Sequence, residues 1–144
     1  MLKHWKGLFM IASLVAAACV GYSAHEAQGG KQVESRVFEM RTYYAHPGKM
    51  AALHERFRKH TNKLFEKHGM TLIGFWSPLD AKDAEDKMVY ILAYPSKEAR
   101  EKSWKAFGSD PDWKAAKAAS EKDGPLVAKV DQLLLKATDY SPIK

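Results

Sequence analysis

Apolar and polar positions alternate from Arg36 to Tyr44. Phe38 and Met40 fall on one side and Glu39, Arg41 and Tyr43 on the other, which predicts a strand with one apolar face. Across the Pro47-Gly48 hinge the period changes. Met50, Leu53, Phe57, Thr61 and Leu64 recur every three or four residues, the single stripe of a half-buried helix. Lys67 and His68 place cations at its negative end, and Gly69 stops it. Thr71 to Ser77 and Lys87 to Tyr94 read as strands joined by the acidic, turn-rich connection Pro78 to Asp86. Met88, Tyr90, Leu92 and Tyr94 alternate with Val89, Ile91 and Ala93, so the third strand is apolar on both faces and belongs in the middle of a sheet. Ser96 caps a helix reaching about Phe107, and Asp110-Pro111 restarts one running to about Ser120. After the Gly124-Pro125 break, Val130 to Ala137 is the last strand and Asp139 to Pro142 an extended tail.

The order β-α-β-β-α-β is the ferredoxin-like split unit, an α+β fold. Helices on one face leave the other face of a four-stranded sheet to be covered. Tyr43, Trp76 and Tyr90 are expected on that open face, where large apolar side chains form an association site. Pairing of two copies through a two-fold axis is the simplest closure, so a homodimer is expected.

Ahead of this domain the chain begins with the short basic segment Met1 to Lys6, followed by an apolar run from Leu8 to Val20. The run is shorter than the roughly 20 residues a helix needs to cross a bilayer, and its flanks are those of a secretory leader over residues 1–24. Cys19 follows Ala16-Ala17-Ala18, where an ordinary signal cleavage or a lipoprotein cleavage falls. Free export, to the periplasm or outside the cell, and acylation at Cys19 that anchors the protein to the envelope stay open as alternatives. Residues 25–35 are a polar, Gly-containing spacer. Cys19 is the single cysteine, so the domain over residues 36–144 has neither disulfides nor thiol-based metal sites or nucleophiles. Its net positive charge is interleaved with acids, as in Ser96 to Lys102, which reads as a solvated helix face rather than a phosphate-binding stripe. Nucleic acid is not an expected partner, and the membrane is met only through lipidation.

The opening strand Glu39-Met40-Arg41-Thr42-Tyr43, the Pro47-Gly48-Lys49 helix start, Gly69, Gly74-Phe75-Trp76, the Arg100 to Trp104 helix with Asp110-Pro111-Asp112-Trp113, and Thr138 to Pro142 together resemble the NIPSNAP family over nearly all of Val37 to Lys144. The resemblance implies a dimeric α+β barrel with a cleft between sheet and helices. Its members are mostly discussed as binding or trafficking-associated proteins, and it supplies no shared catalytic set. Eukaryotic members tend to be mitochondrial, and the export leader departs from that.

Among residues that carry chemistry, Glu39, Arg41 and Tyr43 share a strand face and point together, Arg41 offering a planar fork to a carboxylate or phosphate. An ion pair between Glu39 and Arg41 that fixes register is the structural alternative. His60 continues the seam of Met50, Leu53, Phe57 and Leu64, as a proton shuttle, a haem ligand of the kind found in some related barrels, or a packed imidazole. His54, His60 and His68 are separated by rises of about 9 and 12 Å along a helix and cannot chelate one ion. Tyr43, Trp76, Tyr90, Trp104 and Trp113 supply aromatic surface for a small apolar ligand, or for the core. No Gly-x-Ser-x-Gly elbow, Walker loop or dinucleotide fingerprint is present. The expectation is a homodimeric binding module for a small molecule or protein partner, with Glu39, Arg41, Tyr43, His60, Trp76, Tyr90 and Trp104 as cleft residues and no resident cofactor. A cofactor-free or haem-assisted enzyme of the monooxygenase or isomerase sort is the alternative.

Overall fold

The computed structural model describes residues 36–144, so the expected leader, the Cys19 site and the spacer lie outside the described residues. Four strands, β1 (Val37–Ala45), β2 (Thr71–Trp76), β3 (Lys87–Tyr94) and β4 (Val127–Lys136), form one sheet in the order β2-β3-β1-β4. Every neighbouring pair is antiparallel. β1 and β3 are central, as the apolar character of both β3 faces requires. α1 (Met50–Arg56) continues through a π-helical turn (Phe57–Thr61) into α2 (Asn62–Lys67), and α4 (Lys97–Ser109) and α5 (Pro111–Ser120) follow β3. The β2–β3 connection holds one short turn of helix, α3 (Ala81–Ala84), where only a loop was expected.

The π-turn breaks the phase of the first helical stripe. Asn62 N–H donates to the Phe57 carbonyl, and the Thr61 hydroxyl donates to the Arg56 carbonyl at 3.3 Å. The wider turn inserts a residue into the helical repeat. Met50, Leu53 and Phe57 are therefore buried before it and Thr61, Leu64 and Phe65 after it, while His60 is turned to solvent. Gly69, at φ +77°, supplies the left-handed residue that reverses the chain into β2. Asp110 caps α5 by accepting from Asp112 N–H at 2.7 Å. β4 starts at Val127 rather than Val130, because Val127 pairs with Ala45 beyond a register shift at Tyr44.

The faces of β1 and β3 are opposite to expectation, while Trp76 lies on the open face as expected. Register pairs Arg41 with Tyr90 and Glu39 with Leu92, so Glu39, Arg41 and Tyr43 share the helix-covered face with Met88, Tyr90, Leu92 and Tyr94. Tyr43 and Tyr90 thus lie beneath the helices rather than on the open face. Tyr90, completely buried, has ring centroids of Tyr43 at 5.2 Å, Phe57 at 5.4 Å and Phe75 at 5.4 Å around it. The aromatic residues hold more apolar area than Phe38 and Met40, and burying them under the helices removes more surface from water.

The opposite face carries Met40, Ile73, Trp76, Ile91, Leu133 and Leu135. Trp76 is 50% exposed and Leu133 51% exposed. A Cβ at Gly74 would stand 2.6 Å from the Trp76 ring, so the missing side chain is what lets the indole lie along the sheet. Residues 137–143 pass over one end of this face and, with Phe38, Ile73, Ile91 and Leu135, bound a pocket of about 310 Å³.

Candidate functional site

Glu39 is completely buried, and each carboxylate oxygen accepts two hydrogen bonds. Arg41 Nη1 donates to Oε1 at 2.9 Å and Arg100 Nη2 at 2.6 Å, while the Tyr94 hydroxyl donates to Oε2 at 2.9 Å and Trp104 Nε1 at 2.8 Å. The local reasons are simple. A strand period of two puts Glu39 and Arg41 on one face, and the Ser96 cap, accepting from Ala99 N–H at 3.2 Å, sets the phase of α4 so that Arg100 and Trp104 descend on it together. From β4, Gln132 Oε1 lies 3.3 Å from Arg41 Nη1 and 3.4 Å from Arg100 Nη2. The Arg41 guanidinium also stacks on Trp104, 4.3 Å from the ring centroid.

Burial pushes the Glu39 carboxyl up, but the hydrogen bonds from Arg100 and Trp104, the charge of Arg41 and the Tyr94 hydroxyl outweigh it and hold it below the ordinary glutamate value. The Tyr94 hydroxyl is pushed up by burial and by the carboxylate it serves. With its lone pairs occupied and no surface open, Glu39 is not placed to accept a proton from a substrate. Its effect is to fix two guanidiniums in position while balancing only one of them, leaving a net positive charge between β1 and α4.

The expected cleft residues divide into three groups. Glu39, Arg41 and Trp104 meet in this cluster, with Tyr43 and Tyr90 beside it in the aromatic core. Trp76 stands on the opposite sheet face, and His60 lines a separate groove of about 510 Å³ between the first helix and α5 with Lys59, Lys63 and Asp112. The ion-pair alternative for Glu39 and Arg41 is the one the geometry contains. Arg100 had been read as part of a solvated face, but the recurrence of Arg100, Ser103, Trp104 and Phe107 at spacings of three and four marked an inward stripe that its charged neighbours obscured. Tyr94 and Gln132 carried no signal of their own, since only register brings Tyr94 to Glu39 and Gln132 to Arg41.

Two further ionic links are structural. Arg56, 4% exposed, donates to Glu121 Oε1 at 2.8 Å and lies over the Trp113 ring, tying α1 to the end of α5. Asp110 Oδ2 lies 2.9 Å from Lys67 Nζ and 2.6 Å from His68 Nε2, joining the end of α2 to the start of α5. Hydrogen bonds from Lys67 and His68 hold the Asp110 carboxyl well below the usual carboxylate range. Among the described residues no group of three or more His, Cys, Asp or Glu side chains could hold a metal, and no helix is long and apolar enough to cross a membrane.

An antiparallel four-stranded sheet of this order, with helices on one face and an apolar face left open, is a ferredoxin-like α+β fold. The NIPSNAP family model matches residues 38–142, and the chain belongs to the NIPSNAP family. A NIPSNAP-like protein from Burkholderia xenovorans is similar in structure at 18% identity and TM-score 0.65, covering 76% of this chain and 90% of its own. A NIPSNAP family protein of unknown function from Agrobacterium tumefaciens is similar at 20% identity and TM-score 0.66, covering 77% of this chain and 96% of its own. A cofactor-independent oxygenase from Streptomyces nogalater shares the fold at 15% identity and TM-score 0.51, covering 75% of this chain and 98% of its own. No curated protein matches the sequence.

Proposed function

We propose that the chain is an exported, homodimeric binding module that performs no catalytic step. The observation that carries the reading is the open sheet face, where Trp76, Leu133 and Leu135 keep 50%, 51% and 37% of their surface exposed beside Met40, Ile73 and Ile91. A second copy related by a two-fold axis covers such a face with the same residues. Against this stands a polar end of the sheet, where Lys129 pairs with Asp131 and lies over Tyr44, and this end sets the register of the pair rather than its strength. Binding is supported by the unbalanced guanidinium pair, Arg41 and Arg100, held between β1 and α4. Catalysis finds no support in the Glu39 cluster, whose acceptors are all occupied. The fold shared with a cofactor-independent oxygenase supplies the rival reading, but the aromatic residues between sheet and helices pack into one buried core.

Sedimentation velocity over a concentration series tests the dimer. Wild-type protein is expected as a two-copy species and Leu133→Asp as a single copy of unchanged helix content. A wild-type protein that stays a single copy at high concentration refutes the reading. Native mass spectrometry of the exported protein reports any retained molecule and the state of Cys19 in the same measurement.

A further inference from the structure

Along the flank of α4, above the β1–β4 edge, runs a trough of about 350 Å³ lined by Arg36, Val37, Lys97, Leu134, Leu135 and Lys136. Three of these residues are cations, three are apolar, and none is an acid. Lys97 is one helical turn from Arg100, and Leu134 stands opposite Glu39 in the β4 register, so the trough borders the guanidinium pair that Glu39 only half balances. Among the described residues, Lys97 and Lys136 have no carboxylate partner in a salt bridge, while Arg36 donates to a main-chain oxygen of the last residue, Lys144, at 3.2 Å. Glu98, next to Lys97, is occupied with its own backbone N–H and with Ser96 at the start of α4.

We propose that this trough binds a small anionic amphiphile, with a carboxylate or phosphate head on Lys97 and Lys136 beside Arg36 and an aliphatic body on Val37 and Leu134, which share one sheet face. The inference deepens the binding-module reading and rests on it; the proposed contact residues belong to one protomer, and only Leu135, at the rim, also lies on the face that a second copy would cover. The two halves of the lining decide the class. A neutral apolar molecule leaves the cations unused, and a small hydrophilic anion leaves Val37 and Leu134 in water. The volume lies near the lower bound of ligand pockets, which run about 300 to 1,000 Å³, and so fits a medium-chain acid.

Isothermal titration of the full chain with decanoate, decanol and acetate tests the proposal. Decanoate is expected to bind at least about tenfold more tightly than either control, with affinity falling as salt rises. Lys97→Gln and Lys136→Gln, both exposed and outside the fold's core, are expected to weaken decanoate by about threefold each, and Leu134→Gln by a similar factor. Equal affinity for decanoate and decanol overturns the proposal, as do variants that bind like wild type. So does association with phosphatidylglycerol vesicles but not with decanoate, which would make the patch a membrane contact. A protein that ignores decanoate yet retains another molecule in native mass spectrometry loses this trough and keeps the binding-module reading. A protein that binds decanoate as predicted but stays single-copy loses the dimer and keeps the trough.

Discussion

Replacing Glu39 with Gln removes one buried charge and leaves two guanidiniums with no anion between them. Arg41 and Arg100 each donate to the same oxygen, and their side chains keep only 13% and 17% of their surface in solvent. Breaking a buried ion pair by removing one partner costs about 3 to 5 kcal/mol. Because both arginines retain some access to water, the lower end applies, about 3 kcal/mol. A domain of this size loses about 4 °C or more per kcal/mol, so the melting temperature should fall by about 12 °C. The comparison variants are Arg41→Met and Arg100→Met. Each leaves Glu39 paired with the other arginine, and each should cost about half as much as Glu39→Gln. Urea unfolding followed by tryptophan fluorescence measures all three. The pH dependence supplies an independent check. Since the Glu39 carboxyl is held below the ordinary value of 4.5, its contribution is complete above that pH and is lost as acid protonates it through the lowered value. Wild-type stability should therefore fall more steeply below pH 4.5 than that of Glu39→Gln. A Glu39→Gln variant within about 1 kcal/mol of wild type, or arginine variants that cost more than it does, would refute the view of Glu39 as the anion that holds the cluster together.

Phe57 touches Tyr43, Phe65, Phe75 and Tyr90 with ring centroids between 5.4 and 6.1 Å, so Phe57→Ala should cost about 3 to 5 kcal/mol in chemical denaturation. Gly69→Ala forces a Cβ into φ +77° and should cost about 1 kcal/mol by the same assay. Gly74→Ala should displace the Trp76 ring, whose atoms lie as close as 2.6 Å to the new Cβ, and shift tryptophan emission with little change in the urea midpoint.

Periodicity alone determined the element order, the central place of β3 and the stops at Gly69 and Gly124, because each depends on residues within a few positions of one another. The opening strand was legible as a strand, and Glu39 and Arg41 as partners, for the same local reason. Which face of that strand meets the helices was not, because a period of two separates the faces without saying which is covered. The choice follows from the total area of Tyr43, Phe75, Tyr90 and the helix aromatics, a sum over four separate segments. His60 left the helical seam because one π-turn, closed by bonds to the carbonyls of Arg56 and Phe57, moved it out of phase. Tyr94, Arg100 and Trp104 reach Glu39 from far along the chain and Gln132 joins through the two arginines, and a charged side chain at a helix surface looks the same in sequence whether it faces water or a buried carboxylate. The local pattern determined what each segment could form, and only strand register and helix docking decided which charges would have to be buried together.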